Sequence, residues 1–360
     1  MFALFLPYEA AENTEEKMKT VRLGKSGLVV TKPAMGCLPV QRCSMEDSVK
    51  LLRSAYERGI RFFDTAAAYT DSQEKIGLAL SGVRDDIVIA TKSAARTCSG
   101  VLADIENSLR MMKTDYIDLF QFHNVPEVPD AEDKDGAYAG ALIAKERGWI
   151  GHIGVTSHRV GVIEQCIDSG AFETVQFPFS YISAQRDLDL AERAKNADVG
   201  FIAMKGLAGG LLGTNPRACH AFMNLYDNVA PIWGIQTMEE LECWMGLAEE
   251  DPVMDEQLSA QIKADREQLS GNFCRSCGYC MPCTVGIEIN NCARMDMLLR
   301  RSPWRQYMTD EWRAKMNKIN DCVECGLCRS RCPYQLDTPN LLKYMLKDYN
   351  EFYEAHKDII

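Results

Sequence analysis

Short apolar runs rich in β-branched residues alternate with segments whose apolar residues recur at helical spacing over the first 250 residues. Such runs are typical of buried parallel strands. They predict eight strands, at residues 29–36, 61–68, 86–92, 116–123, 149–157, 173–180, 199–206 and 228–235. Eight strands that each precede a helical pattern indicate a (β/α)₈ TIM barrel, an α/β fold. An open doubly wound sheet fits the sequence less well. Such a fold usually has a Gly-x-Gly-x-x-Gly turn after its first strand, and here the first strand is followed by MGCLPVQRC.

The segment between the first two strands illustrates how the helices are predicted. Ser44 is a candidate N-cap, because its hydroxyl can accept a hydrogen bond from a backbone amide of the first turn. Val49, Leu52 and Tyr56 would form one apolar face of the helix. Gly59 would end it, because glycine readily adopts the left-handed conformation found after helices.

Cysteine is distributed unevenly and divides the chain into two parts. Of the 15 cysteines, six are scattered over the first 270 residues and nine lie within residues 274–332. The predicted organisation is an N-terminal arm, a barrel, a linker helix, a small cysteine-rich domain and a C-terminal helix, at residues 1–17, 18–250, 251–270, 271–340 and 341–360.

Charge and hydropathy exclude several classes of partner. The formal net charge of −11 argues against a nucleic-acid partner, because binding phosphates requires clustered cations. No apolar run approaches the roughly 20 residues that a membrane-spanning helix needs, so no membrane partner is expected. The early FALFLPY stretch is too short for a signal peptide and no basic residues precede it. We therefore expect a cytoplasmic protein with reduced cysteines.

Four ionisable residues fall at the carboxyl ends of predicted strands, where TIM barrels carry their active sites. They are Asp64, Tyr69, Lys92 and His123. Singly, each has a simpler explanation: a turn cap, rim packing, a solvated strand end or a hydrogen-bonded core histidine. Together they suggest acid–base chemistry, because an ammonium beside a phenol favours the phenolate and lowers its pKa. A carboxylate would hold the ammonium, and an imidazole would orient a substrate oxygen.

At this point the sequence resembles the aldo-keto reductase family, over residues 18 to 250. The resemblance is carried by LGKSGLVVTKPAMG, FDTAAAY, ATK, LFQFH, GHIGVTSH and VQF. It implies a nicotinamide-dependent oxidoreductase in which Tyr69 is the general acid/base, Lys92 and Asp64 tune it, and His123 orients the substrate. It also implies that three residues lie at the nicotinamide carboxamide: Thr156, Ser157 and Gln176.

The stretch GIQTMEELECW, residues 234–244, departs from the family pattern. Gln236 and Thr237 stand where ligands of the 2′-phosphate would be expected, and Cys243 and Trp244 stand where the family has its adenine contacts. Nearby glutamates would repel a phosphate, which favours NADH, or a different redox partner, over NADPH. Gly209 and Gly210 would either let backbone amides approach the pyrophosphate or form a plain turn.

The cysteine-rich part contains two related motifs. Residues 322–333, CVECGLCRSRCP, have the Cys-x₂-Cys-x₂-Cys-x₃-Cys-Pro spacing of bacterial ferredoxins. Residues 274–283, CRSCGYCMPC, are a second motif with a shortened last gap. Two zinc sites are the alternative, although structural zinc usually takes paired Cys-x-x-Cys units.

Together the motifs resemble the two-cluster ferredoxins. The resemblance implies one 4Fe–4S cluster on Cys274, Cys277, Cys280 and Cys332. It implies a second 4Fe–4S cluster on Cys322, Cys325, Cys328 and Cys283. Cys292 is either a substitute ligand or a packed thiol.

Two functional hypotheses follow. In the first, the barrel reduces a small carbonyl compound, or oxidises an alcohol, with NAD(P)H, and the clusters brace their domain or serve a redox partner protein. In the second, the clusters carry an electron-transfer or redox-relay function and the barrel is a docking module. We favour the first, because a complete set of four catalytic residues would drift in a mere scaffold.

Overall fold

The computed structural model describes residues 18–269, 273–301 and 304–359 of the chain. The predicted N-terminal arm, residues 1–17, lies outside the described residues. Among the helices that are described, none combines the length and the apolar character that crossing a membrane would require.

Ten strands are present in the described residues. They are β1 (Lys19–Arg22), β2 (Val29–Lys32), β3 (Ala34–Gly36), β4 (Phe62–Asp64), β5 (Val88–Ser93), β6 (Ile117–Phe122), β7 (Ile150–Thr156), β8 (Thr174–Pro178), β9 (Gly200–Met204) and β10 (Val229–Gly234). Strands β3 to β10 form a closed barrel in which neighbours follow chain order and β10 pairs with β3. The TIM barrel and its eight strands are therefore confirmed.

The first predicted strand, residues 29–36, is two strands. Its first half, β2, pairs antiparallel with β1, with Lys19 opposite Lys32. Its second half, β3, is the first strand of the barrel and pairs in parallel with β4 and β10. Pro33 separates the halves, because proline has no amide hydrogen to donate to a sheet.

The helices follow the strands as expected for this fold. They are α1 (Met45–Glu57), α2 (Ser72–Leu80), α3 (Cys98–Met112), α4 (Ala137–Glu146), α5 (Val160–Ser169), α6 (Gln185–Asn196), α7 (Pro216–Asn224), α8 (Met238–Glu250), α9 (Glu256–Gln268), α10 (Ile289–Cys292), α11 (Met295–Arg301), α12 (Asp310–Asn317), α13 (Leu327–Arg331) and α14 (Thr338–His356). Short 3₁₀ turns occupy Pro39–Arg42, Ser81–Asp86, Ala208–Gly210, Trp304–Tyr307, Lys318–Asp321 and Lys357–Ile359.

Helix α1 begins and ends as its sequence predicts. The Ser44 hydroxyl accepts a hydrogen bond from the Asp47 backbone amide at 3.1 Å, which confirms the N-cap. Gly59 follows the helix with φ of 98°, a conformation that favours glycine. The apolar face is rotated from the prediction, since Leu51 and Leu52 are its large buried side chains.

The described residues form two compact units. The first contains the chain up to His123, Pro129–Gly154 and Ala230–Asp251. The second contains Asn124–Val128, Val155–Val229 and the chain from Pro252 onward. Helix α9 lies within the predicted linker, and α14 starts before the predicted C-terminal helix. The domain bounds 18–250, 251–270, 271–340 and 341–360 stay predictions.

The second unit has its own apolar core around the cysteine-rich segments. Helices α10, α11, α12 and α14 contribute buried residues to it, including Met295, Met316, Met345 and Tyr349. The Tyr349 hydroxyl donates a hydrogen bond to the Tyr307 carbonyl at 2.8 Å, so its polar end is satisfied. The residues between the two cysteine motifs and those of α14 therefore share one apolar core, against which both motifs pack.

Candidate active site and cluster-binding segments

A buried ion pair lies at the carboxyl ends of two neighbouring strands. Asp64 ends β4, Lys92 lies near the end of β5, and the parallel register places Asp64 opposite Ala90. The Lys92 Nζ donates to Asp64 Oδ1 at 2.5 Å and to the Thr65 carbonyl at 2.7 Å. The second carboxylate oxygen accepts from Gln121 Nε2 at 3.1 Å. These extra hydrogen bonds offset part of the cost of burying two charges.

Tyr69 and His123 complete the group in the first unit. The Lys92 Nζ lies 5.3 Å from the centre of the Tyr69 ring. The rings of Tyr69 and His123 meet edge to face, with their centres 5.7 Å apart. The structure therefore brings together all four residues that the sequence predicted as catalytic.

The positive charge of Lys92 lowers the pKa of the phenol, as the sequence predicts, but it does not set the net shift. Burial raises the pKa of Tyr69 above its ordinary value, and the positive charge of Lys92 offsets only part of that increase. Burial also disfavours the charge on Lys92, but Asp64 and Tyr69 outweigh it and raise the pKa of the amine. Lys92 is therefore charged at neutral pH and Tyr69 carries its proton.

His123 is neutral at the same pH. Burial, together with the positive charges of Lys92 and Arg96, lowers its pKa to about 3. The Arg96 guanidinium also donates a hydrogen bond to the His123 carbonyl at 3.1 Å. A neutral imidazole can donate one hydrogen bond to a substrate oxygen without competing for the proton of Tyr69.

Two residues of this site were missed from the sequence. Gln121 is fully buried in β6, and its polar side chain within the apolar run LFQFH was the available signal. Cys37 is fully buried after β3, and its backbone amide donates to the Asp64 carbonyl at 2.8 Å. Burial and the charge of Asp64 raise the pKa of Cys37, so it is a neutral thiol beside the ion pair.

The residues predicted at the nicotinamide carboxamide lie in the second unit. Thr156 ends β7, and its hydroxyl accepts from the Asn124 amide at 2.7 Å. The Ser157 hydroxyl donates to the Val125 carbonyl at 2.8 Å. Ser157 also donates its backbone amide to the Gln176 carbonyl at 3.3 Å, so these two residues are adjacent. Their contact with a nicotinamide stays a prediction.

The predicted pyrophosphate glycines contact the cysteine-rich part of the same unit. Both have positive φ, 69° at Gly209 and 98° at Gly210. The Gly209 carbonyl accepts from Arg294 Nη2 at 2.8 Å. A Cβ at Gly209 would lie 2.4 Å from Arg294 Nη1, so the guanidinium would have to shift to admit a side chain, and the positive φ also favours glycine. Pyrophosphate binding by either glycine stays a prediction.

The start of α8 is acidic and internally hydrogen-bonded. Thr237 is its N-cap and accepts from the Glu240 amide at 3.2 Å. The Glu240 carboxylate in turn accepts from the Gln236 amide at 2.7 Å. Trp244 is buried and stacks on Trp233 at 3.8 Å, so it belongs to the core rather than to an adenine site.

Each predicted set of four cluster cysteines lines one cavity. Cys274, Cys277, Cys280 and Cys332 line one cavity. Cys283, Cys322, Cys325 and Cys328 line another, which Cys280 also borders. The shortened gap before Cys283 therefore does not keep it from its predicted partners.

The choice between zinc and an iron–sulfur cluster depends on the arrangement of the thiols. Zinc needs four sulfurs that each lie about 2.3 Å from one ion. Within the described part of the chain, no three Cys, His, Asp or Glu side chains are grouped closely enough for that. Cys292 lines neither cavity; it is buried and donates to the Lys315 carbonyl at 3.7 Å.

A closed parallel barrel with ionisable residues at or just after its strand ends places the chain in the TIM-barrel class. The chain matches the aldo/keto reductase family over residues 34–258, well over half its length, and belongs to that family. Residues 273–337 match a 4Fe-4S dicluster domain.

Individual relatives agree with this assignment. An uncharacterized oxidoreductase of Bacillus subtilis, YqkF, is 26% identical over 219 residues, covering 55% of this chain and 68% of that protein. Matches to six curated relatives cover between 53% and 68% of their length.

Two solved structures show the same fold. The aldo-keto reductase AKR11C1 from Bacillus halodurans superposes with a TM-score of 0.60 at 21% identity, covering 69% of this chain and 96% of that one. An aldo-keto reductase from Klebsiella pneumoniae in complex with NADPH gives 0.59 at 22% identity, covering 69% and 94%.

Proposed function

We propose that this protein reduces a small carbonyl compound, or oxidises the corresponding alcohol, with a nicotinamide cofactor. The observation that supports this most directly is the buried Lys92–Asp64 pair beside Tyr69, with a neutral His123 against the phenol ring. Each of these groups has a distinct task in moving one proton, and a docking module would need none of them.

In carbonyl reduction Tyr69 is the proton donor. The nicotinamide, when bound, supplies the hydride to the carbonyl carbon. Tyr69 gives its proton to the carbonyl oxygen, and the charge of Lys92 stabilises the phenolate that remains. Asp64 fixes Lys92 in place, and His123 orients the oxygen by donating a hydrogen bond. In alcohol oxidation the same proton returns to Tyr69.

Thr156, Ser157 and Gln176 would hold the nicotinamide carboxamide in this proposal. The NADPH-bound relative from Klebsiella pneumoniae supports a nicotinamide cofactor. The choice between NADH and NADPH is set at Gln236 and Thr237, where the carboxylate of Glu240 already accepts the Gln236 amide. We propose NADH as the preferred cofactor, because a 2′-phosphate would meet these negative charges.

The dicluster domain would hold two 4Fe–4S clusters. The first would bind Cys274, Cys277, Cys280 and Cys332, and the second Cys322, Cys325, Cys328 and Cys283. Such a cluster exchanges one electron at a time, so a redox partner protein is the natural recipient or donor. Ligand thiolates require a reducing compartment, and we place the protein in the cytoplasm.

The proposal is tested by an anaerobic titration of the complete protein with NADH and NADPH against a panel of carbonyl compounds, recording cluster absorbance throughout. We expect carbonyl-dependent oxidation of the dinucleotide, with unchanged cluster absorbance when the dinucleotide is added alone. Bleaching of the clusters by NAD(P)H without turnover of any carbonyl would instead identify an electron-transfer protein with a docking barrel.

A further inference from the structure

Tyr279 lies between two predicted cluster ligands, Cys277 and Cys280, and its side chain reaches the end of a barrel strand. Its hydroxyl is 3.4 Å from Ser157 Oγ and 3.5 Å from the His158 backbone nitrogen. All of these residues belong to the second compact unit. A side chain of the cysteine-rich segment therefore contacts a residue predicted to hold the nicotinamide.

The ring of Tyr279 is held by the residues that follow Ser157. His158 meets it edge to face, with ring centres 6.1 Å apart. The guanidinium carbon of Arg159 lies 5.0 Å from the ring centre, within the range of a cation–π interaction. The Arg159 backbone amide also donates to Ser157 Oγ at 3.1 Å. Three consecutive residues after β7 thus fix the phenol.

A second set of contacts joins the same segment to the loop after β9. The Lys205 Nζ donates to the Ser276 carbonyl at 2.8 Å and to the Arg275 carbonyl at 3.3 Å. Arg294 donates to the Gly209 carbonyl at 2.8 Å. The cysteine-rich part is therefore attached at two of the loops that are predicted to contact the dinucleotide.

We propose that Tyr279 is a positioning residue for the nicotinamide, which it orients by holding the hydroxyl of Ser157. Because its neighbours Cys277 and Cys280 would be fixed by the first cluster, the occupancy of the nicotinamide site and the state of that cluster are coupled through this side chain. Thermodynamic linkage makes the coupling reciprocal, so bound dinucleotide also perturbs the cluster. The inference rests on the proposed nicotinamide-dependent function.

The test compares the wild-type protein with Tyr279→Phe, both with their clusters intact and under anaerobic conditions. Removing the hydroxyl deletes one hydrogen-bonding group, and we expect the Kd for NADH to rise about 3- to 10-fold. Tyr334→Phe is the matched control, because it removes a hydroxyl beside the same four cysteines but not at Ser157. We expect it to bind NADH like the wild type.

The spectroscopic readout is the electron paramagnetic resonance signal of the dithionite-reduced clusters with and without NADH. In the wild type and in Tyr334→Phe, NADH shifts one of the two signals, and in Tyr279→Phe this shift is lost. Unchanged or tighter NADH binding by Tyr279→Phe, or a shift that persists in it, would overturn the inference.

The two proposals fail in different ways. A wild-type protein that binds neither NADH nor NADPH contradicts the proposed function itself. A wild-type protein that binds NADH without any change in the cluster signals contradicts only the coupling, and this measurement remains decisive if Tyr279→Phe does not retain its iron.

Discussion

The ammonium of Lys92 lies 2.5 Å from the carboxylate of Asp64, and both side chains are almost completely buried. A buried ion pair of this kind is weak evidence for added stability, since desolvation offsets much of the attraction. The ion pair instead fixes a full positive charge 5.3 Å from the centre of the Tyr69 ring. This charge stabilises Tyr69 most strongly when the phenol has lost its proton and is negatively charged.

Replacing Tyr69 by phenylalanine removes the proposed proton donor and leaves the ring. We expect kcat for carbonyl reduction to fall by about 10²- to 10⁴-fold, the usual contribution of general acid–base catalysis. The Kd for the dinucleotide, measured by fluorescence, stays within about twofold of the wild type, because the hydroxyl acts on the substrate. Tyr344→Phe, at a side chain that is 54% exposed, is the control and keeps full activity. Retained activity in Tyr69→Phe would exclude it as the acid.

His123 makes the stability of the first unit sensitive to acid. Its pKa is lowered from 6.5 to about 3 in the folded protein, so the unfolded chain binds more protons between these values. Stability therefore falls as the pH drops below about 6.5. At pH 5 the loss is on the order of 2 kcal/mol, at 1.36 kcal/mol per pKa unit.

The measurement is the change in unfolding free energy between pH 7 and pH 5, by anaerobic denaturation. His123→Gln has no imidazole to protonate. Between pH 7 and pH 5 we therefore expect its unfolding free energy to fall by about 2 kcal/mol less than that of the wild type. His152→Gln is the matched control, and we expect its unfolding free energy to change with pH as that of the wild type does. Identical pH dependence in His123→Gln and the wild type would show that the imidazole is protonated in the folded state.

The assignment of Cys283 predicts an iron stoichiometry. Cys283→Ser removes one of four proposed ligands of the second cluster, and we expect iron and acid-labile sulfide to fall by about half. Cys292→Ser is the control, because its thiol is buried in the apolar core and lines neither cavity. Full iron in Cys283→Ser, or a loss in Cys292→Ser, would show that Cys292 is the ligand.

The acidic start of α8 predicts the cofactor preference. The pKa of Glu239 is lowered by hydrogen bonds from its own amide and from Thr237, so its carboxylate is charged. We expect the Kd for NADH to be several-fold lower than the Kd for NADPH. The ratio of the Kd for NADPH to the Kd for NADH should be smaller in Glu239→Gln, and smaller at high salt. Glu249→Gln, at the other end of the helix, leaves the ratio unchanged. Tighter binding of NADPH by the wild type would refute the preference.

The barrel and its catalytic residues were predictable because they are local features. Several strands are apolar runs with a polar residue at or just after their end, as at Asp64 and His123, and parallel strands bring such ends to one rim. The division of residues 29–36 was missed because apolar residues continue on both sides of Pro33, and periodicity does not register a lost amide hydrogen.

Other properties depend on the folded structure and could not be predicted. The contact between Ser157 and Tyr279 joins residues 122 positions apart, and nothing in either segment indicates the other. The sign of the pKa shift of Tyr69 is set by its burial, which opposes Lys92 and is not visible in the motif FDTAAAY. A sequence pattern does not show which distant residues come into contact, nor how far a side chain is buried.

The two cavities contain the most exposed and the most buried of the eight predicted cluster cysteines. Cys325 is exposed and its neighbour Val323 is 64% exposed, whereas Cys274 in the other cavity is 8% exposed. Under the proposed ligand assignment, dissolved dioxygen would reach the second cluster, at Cys325, before the first. We then expect a briefly aerated sample to have lost iron from the second cluster and to keep the first.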